Sequence, residues 1–308
     1  MLSVELVRHL TVADAAGAAM PLSAASGLVA LRGHLAVVAD DEHTLGLFRI
    51  GDAGPGRLLP LFAGGLPAEH HARKAAKPDL EALTVLPPFA GHPHGALFAA
   101  GSGSTPNRRR GALLALDGHG LPAGPVRIVD LSPLHEALRT TLGELNLEGL
   151  LVADDDVCLL QRAHRGLPVG ACVRYRLAGV LRWLAGEAAA PAPRTIEHHD
   201  LGAIGGVPLG FTDGAALPGG GWLFCAAAED TADSYLDGAN AGSVVGHVDA
   251  HGRVRAVHAL ASTAKVEGIT IDPDPVADTV WLVTDADDRQ VPAALLRLRL
   301  SAVLAPAA

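Results

Sequence analysis

Asn146-Leu147-Glu148-Gly149-Leu150-Leu151-Val152 is the stretch on which the reading of this 308-residue chain turns, because it recurs. Lys265-Val266-Glu267-Gly268-Ile269-Thr270-Ile271 repeats it closely, and Asp79-Leu80-Glu81-Ala82-Leu83-Thr84-Val85 is a third copy. Phe211-Thr212-Asp213-Gly214-Ala215-Ala216-Leu217 reads as a fourth, with Asp in place of Glu. Ala25-Ser26-Gly27-Leu28-Val29 is a weaker fifth, with Ser at the acidic position. The steps between Ser26, Glu81, Glu148, Asp213 and Glu267 are 55, 67, 65 and 54 residues. A period of this size marks a repeat architecture.

Each copy opens a short apolar run. A turn and a second apolar run follow, the latter ending in polar residues such as Asp40-Asp41, Gln161-Arg162 or Glu229-Asp230. A third and usually a fourth run come next, often separated by turn signals such as Asp117-Gly118-His119-Gly120. The 36 Gly and 21 Pro suit many short strands and tight turns. The fifth unit lacks a fourth strand, and Ser3–Leu10 is a strand without a unit. The expectation is an all-β, five-bladed β-propeller over residues 1–308, closed by its N-terminal strand. A six-bladed ring is the alternative, although it needs a sixth copy. Pro133–Leu142, after Ser132, reads as a short helix between the second and third blades.

Composition narrows the class. Hydrophobic residues are 49% and charged residues 19%, as expected of a folded globular chain. A net charge of −9 argues against a nucleic-acid partner. No run is long enough to span a membrane, and Glu5, Arg8 and His9 interrupt the N-terminus where a signal core would lie. Cys158, Cys172 and Cys225 are odd in number and lie in apolar runs, which reads as buried thiols. These features predict a cytoplasmic monomer that binds a small anionic molecule.

Strand parity says which residues meet. In an up-and-down blade, the start of the innermost strand, the link from second to third strand, and the link between blades share one face. Ser26, Glu81, Glu148, Asp213 and Glu267 therefore converge on the axis. Four acids a few ångströms apart repel unless compensated. A hard cation with oxygen ligands resolves this, and Ca²⁺ tolerates an irregular channel best. Those five residues are the candidate metal ligands. The competing reading has the acids bind water or neighbouring backbone N–H groups. No Cys or His sits at zinc spacing. His70-His71, His92, His94 and His198-His199 read as solvated loop residues. Asp40 and Asp41 are candidate general bases on the same face. Lys77, Ser102, Arg108, Arg109 and Arg162 form a candidate anion-holding arc there, since Arg forks match phosphate and carboxylate oxygens. Asp233 and Ser234 are placed on that face as well.

These residues resemble the calcium-activated nucleotidases (apyrases), five-bladed propellers with one axial Ca²⁺. Their innermost strands carry Ser, Glu, Glu, Ser and a Lys-aromatic-Glu-Gly. Ser26, Glu81, Glu148 and Lys265-Val266-Glu267-Gly268 look similar, and Asp213 departs from the fourth Ser. Val38-Ala39-Asp40-Asp41 resembles that family's acidic pair beside the metal. The same phrases are similar to those of bacterial phytase-like or esterase-like propellers. The resemblance implies a Ca²⁺-dependent hydrolase of a phosphate or other ester, working in the axial funnel. The alternative is a non-catalytic ligand- or protein-binding propeller with a structural ion. The sequence leaves open whether the chain is an enzyme, for it has no Gly-x-Ser-x-Gly elbow.

Overall fold

Five four-stranded antiparallel sheets stand around one axis in the computed structural model. It describes residues 1–14, 17–232, 238–274 and 276–306, so Asp233 and Ser234 lie outside the described residues. Blade I comprises Ala25–Leu31, His34–Ala39, Thr44–Arg49 and Arg57–Pro60, from the axis outward. Blade II comprises Leu80–Leu86, Ala96–Gly101, Arg110–Leu116 and Pro122–Asp130. Blade III runs Leu147–Ala153, Asp156–Gln161, Gly170–Arg176 and Thr195–His199. Blade IV runs Gly210–Ala216, Trp222–Asp230, Ala239–Val248 and Val254–Ala259. Blade V is Lys265–Ile271, Thr279–Asp285 and Ala294–Arg299, with Glu5–His9 as its outer strand. The five-bladed ring closed from the N-terminus is as expected, and the six-bladed alternative is set aside.

The innermost strands neighbour one another around the ring, blade I against both II and V. They are packed on both faces, which is why they read as near-continuous apolar runs. Hydrophobic clusters fill the spaces between blades: Phe98, Leu138 and Tyr175 between II and III, Phe211, Trp222 and Phe224 between III and IV. His199 belongs to this second interface. It packs edge-on to Phe211 and Trp222, and so is a buried core histidine and not a solvated one. Its neighbour His198 faces outward, as alternation along a strand requires.

A shared irregularity marks all five innermost strands. Pairing with the second strand slips between Ala25 and Leu28, Leu80 and Ala82, Leu147 and Gly149, Phe211 and Asp213, and Val266 and Gly268. The residues left out of the ladder are Ser26-Gly27, Glu81, Glu148, Thr212 and Glu267. A β-bulge ends pairing locally and re-aims a side chain. In blades I, II, III and V it turns Ser26, Glu81, Glu148 and Glu267 toward the axial opening, whereas the Thr212 hydroxyl of blade IV donates to the Val266 carbonyl oxygen at 2.9 Å. In blade IV the bulge falls on Thr212, so Asp213 occupies the place of Gly149 and not of Glu148. The Gly after the bulge has its own reason. A Cβ on Gly268 would lie 2.4 Å from the Ser26 carbonyl oxygen and 2.9 Å from the Leu28 Cβ, so only Gly lets strands V and I approach this closely.

Among the described residues four short α-helices decorate the ring: α1 (His70–Ala76), α2 (Ser132–Leu142), α3 (Leu177–Leu184) and α4 (Leu300–Leu304). The Asp130 carboxylate accepts the Ser132 N–H at 2.9 Å at the entry to α2, whose Leu134, His135 and Leu138 are buried. Helix α1 turns a connection expected to be loop into a wall beside the axis. Glu69 caps it by accepting the N–H groups of His71 and Ala72. Among the described residues no helix is long and apolar enough to cross a membrane.

Candidate functional site

The bulged ends of the innermost strands open into a well of about 70 Å³ on the axis. Among the described residues its walls carry eight carboxylates, Asp40, Asp79, Glu81, Glu148, Glu229, Glu267, Asp285 and Asp287, against five cationic side chains, Lys74, Lys77, Arg108, Arg162 and Lys265. A wider funnel of about 330 Å³ adjoins it, walled by α1 and by Asp41, Arg73, Asp288 and Arg289. Asp40, Lys74, Lys77, Asp285 and Asp287 border both spaces and form a charged collar between them.

The well has two flanks. On the side of blades I and II, carboxylate oxygens of Asp40, Asp79 and Glu81 lie within 4.8 Å of one another, a spacing that suits a metal ion. Asp79 is held there in the left-handed region (φ 57°), a conformation Asp tolerates better than most residues. Its Oδ2 accepts from Arg108 Nη1 at 2.9 Å and from Ser102 Oγ at 2.5 Å. Lys77 Nζ lies 3.0 Å from Asp79 Oδ1 and also donates to Asp40 Oδ2. Burial pushes the Glu81 carboxyl well above the ordinary range, with Glu148, Asp79 and Asp40 adding repulsion.

On the side of blades III to V, buried cations hold the acids. Arg162 donates through Nη1 to Glu148 Oε2 at 3.1 Å and through Nη2 to Glu229 Oε2 at 2.6 Å. Lys265 Nζ lies 2.6 Å from Asp287 Oδ1, 3.4 Å from Glu267 Oε1 and 3.5 Å from Asp285 Oδ2. Burial opposes both positive charges, and the surrounding carboxylates outweigh it and keep them ionised. Burial still raises the Glu148 carboxyl to about 8, with Arg162 pulling the other way. Glu267 is likewise raised by burial, and its Oε2 has no hydrogen-bond partner among the described residues.

The structure thus divides the residues singled out from the sequence. Ser26, Glu81, Glu148 and Glu267 face the well, as do Asp40, Lys77, Arg108 and Arg162. Asp41 faces the funnel instead. There burial, Asp40 and Glu42 raise its carboxyl to about 6, and its Oδ2 lies 3.3 Å from Arg289 Nε. Three candidates are placed elsewhere. Asp213 lies below the well, where its carboxylate accepts the N–H groups of Gly214 at 2.8 Å and Ile269 at 3.1 Å. Those bonds answer for a buried carboxylate without a metal, the competing reading of the axial acids. Ser102 is fully buried behind Asp79, on which its hydroxyl is spent. Arg109 lines neither space and points to Glu136 of α2 at 3.8 Å.

Sequence reasoning missed Asp79, Asn146 and the helical course of α1. Asp79 and Asn146 share a column with Lys265, two residues before the bulged Glu, and all three line the well. A polar residue at the same place in three repeats was the available signal.

Fold and well together define a five-bladed β-propeller with a charged axial opening. The chain belongs to a family of unknown function (DUF6929), whose model matches residues 21–300. No curated protein matches the sequence. Among solved structures, a glutaminyl cyclase of Myxococcus xanthus is similar, with 13% identity, 96% of each chain covered and a TM-score of 0.50. A luciferin-regenerating enzyme is 10% identical, with 90% of this chain and 92% of that chain covered and a TM-score of 0.47. At these identities the likeness speaks to the fold alone.

Proposed function

We propose that the well and funnel form the site of a metal-dependent hydrolase acting on a phosphate or carboxylic ester, with Ca²⁺ held by Asp40, Asp79 and Glu81. The observation that carries this is the convergence of those three carboxylates in a well where acids outnumber cations by eight to five. The donors are all oxygen, as a hard cation prefers. A divalent ion there would supply Lewis acidity toward the substrate oxygen or a water. Lys77, Arg108 and Arg162 would hold the substrate's anionic group. Asp41, raised toward neutrality at the funnel side, has the basicity expected of a general base. The placement of Thr212 at the fourth bulge also supports the reading. It brings the series of bulge residues Ser26, Glu81, Glu148, Thr212, Glu267 closer to the Ser, Glu, Glu, Ser, Glu series of the nucleotidases, with the Thr212 hydroxyl bonded to the Val266 carbonyl oxygen beside the well.

One observation favours a second reading, a binding propeller without chemistry. The Lys77 ammonium already bridges Asp40 and Asp79. A panel of phosphate and carboxylic esters, assayed with Ca²⁺ and with chelator, separates the two. Hydrolysis that needs Ca²⁺ and is lost in Asp79→Asn and Arg108→Ala, but kept in Arg109→Ala, supports the hydrolase. Absence of hydrolysis, with a melting temperature indifferent to chelator, supports the binding propeller.

A further inference from the structure

Two polar atoms on the side of the well away from Asp40 and Asp79 are left unused by the ion pairs. His164 follows the second strand of blade III, lines the well and is 6% exposed, and its Nε2 is buried with no hydrogen-bond partner among the described residues. Glu267 Oε2, from blade V, is in the same condition, in a residue 4% exposed. Buried polar atoms are nearly always paired, so two unpaired ones on the wall of one small cavity mark where a ligand completes the bonding.

The other ring nitrogen of His164 is anchored in every protonation state. Nδ1 lies 3.1 Å from the Ala232 carbonyl oxygen and 3.2 Å from the Gly166 nitrogen. With the proton on Nδ1, it donates to Ala232 and Nε2 turns a lone pair to the well. With the proton on Nε2, Nδ1 accepts the Gly166 N–H. In the imidazolium, Nδ1–H bonds Ala232 while Nε2–H points to the ligand. The ring can gain or lose a proton at Nε2 without moving, as a group that handles protons requires.

We propose that His164 is a catalytic residue, the proton donor to the leaving oxygen of an ester bound in the well; this rests on the hydrolase reading above. Water supplies the oxygen that bonds to phosphorus or to the carbonyl carbon. The bond from that atom to the ester oxygen breaks, and its electron pair stays on the leaving oxygen. The Nε2 proton of His164 neutralises that oxygen to an alcohol. The proton that Asp41 takes from the attacking water returns through solvent to recharge the imidazole, so ester and water become acid and alcohol with nothing left over. Arg162, two residues earlier and fixed by Glu148 and Glu229, keeps a positive charge beside this step.

The test compares good and poor leaving groups. His164→Asn keeps an amide near the position of Nδ1, and so the anchor to Ala232 or Gly166, but has nothing at Nε2. His164→Gln is the second variant. Both are assayed with Ca²⁺ on p-nitrophenyl and phenyl phosphate and on p-nitrophenyl and phenyl acetate. p-Nitrophenolate leaves without a proton and phenolate does so poorly. The expected result is a loss of kcat/KM at least tenfold greater on the phenyl member of a pair. Equal losses on both members, or none, overturn the proposal and leave the hydrolase reading standing. A parent that cleaves none of the four esters overturns both. Should neither variant fold, the parent decides: comparable rates on both members support a proton donor, and a hundredfold preference for the nitrophenyl ester overturns it.

Discussion

Burial and three neighbouring acids push the Glu81 carboxyl well above the ordinary range. Its substitution therefore has a sign that depends on the ion. In a metal-free well, Glu81→Gln relieves repulsion and should raise the melting temperature by about 2 °C or more. If Ca²⁺ is bound, the same change removes a ligand, and the thermal response to Ca²⁺ that the parent shows should disappear. Melting curves of both proteins with Ca²⁺ and with chelator decide between them. His135 gives a pH prediction. Burial, with Arg139 and Arg109 adding repulsion, lowers its imidazole to about 4. The unfolded chain takes up that proton near the ordinary 6.5, so stability is lost as pH falls from 6.5 to 4, by roughly 3 kcal/mol if no other group intervenes. His135→Leu should flatten that slope, measured by denaturant unfolding at pH 7 and pH 4.5. At this scale the sequence was legible where a repeat column held one residue type, as at Glu81, Glu148 and Glu267. It misled at Asp213, because matching acid-before-Gly ignores the bulge. Only pairing register shows that Thr212 takes that place.

The bulge is the element that makes the site, for in blades I, II, III and V it frees Ser26, Glu81, Glu148 and Glu267 from the ladder and turns them to the well. Its cost is close approach of neighbouring strands, which Gly149 and Gly268 permit in blades III and V. Gly268→Ala would put a Cβ 2.4 Å from the Ser26 carbonyl, where backbone and not a flexible side chain must yield. Such overpacking typically costs about 1–3 kcal/mol. The expected outcome is a lower denaturation midpoint together with a weaker Ca²⁺ response, since strand I would be pushed off the axis. An unchanged midpoint would show that strand I yields freely. Strands were readable as elements because each is a short apolar run between Gly, Pro or Asp turns. Helix α1 was not, because its seven residues, His70–Ala76, hold two His, an Arg and a Lys and have no apolar stripe. Its position comes from tertiary contacts: Arg73 donates to the Asp41 carbonyl at 2.9 Å and pairs with Glu42 at 2.6 Å.

For the molecule as a whole, five recurring phrases and one unpaired strand were enough to specify the ring and its closure. The charge pairing inside it was not legible, since Arg162 meets Glu229 across 67 residues of chain. Glu5–His9 pairs with Ala294–Arg299, and Glu5 grips Arg297 with both oxygens at 2.8 Å. Deleting residues 1–10 uncovers the edge of Ala294–Arg299, and an open edge is a template for association. The truncated protein should aggregate or melt well below the parent, as light scattering and calorimetry would show; a monomer with the parent's melting temperature would contradict the closure. The same pairing sets a clock on biogenesis. The first strand leaves the ribosome almost 290 residues before its partner does. At about 5–20 residues per second it waits roughly 15–60 s for the rest of its sheet. Its exposed Glu5 and His9 and half-buried Arg8 keep that waiting edge polar, so the ring is sealed by a strand made almost 290 residues before its partner.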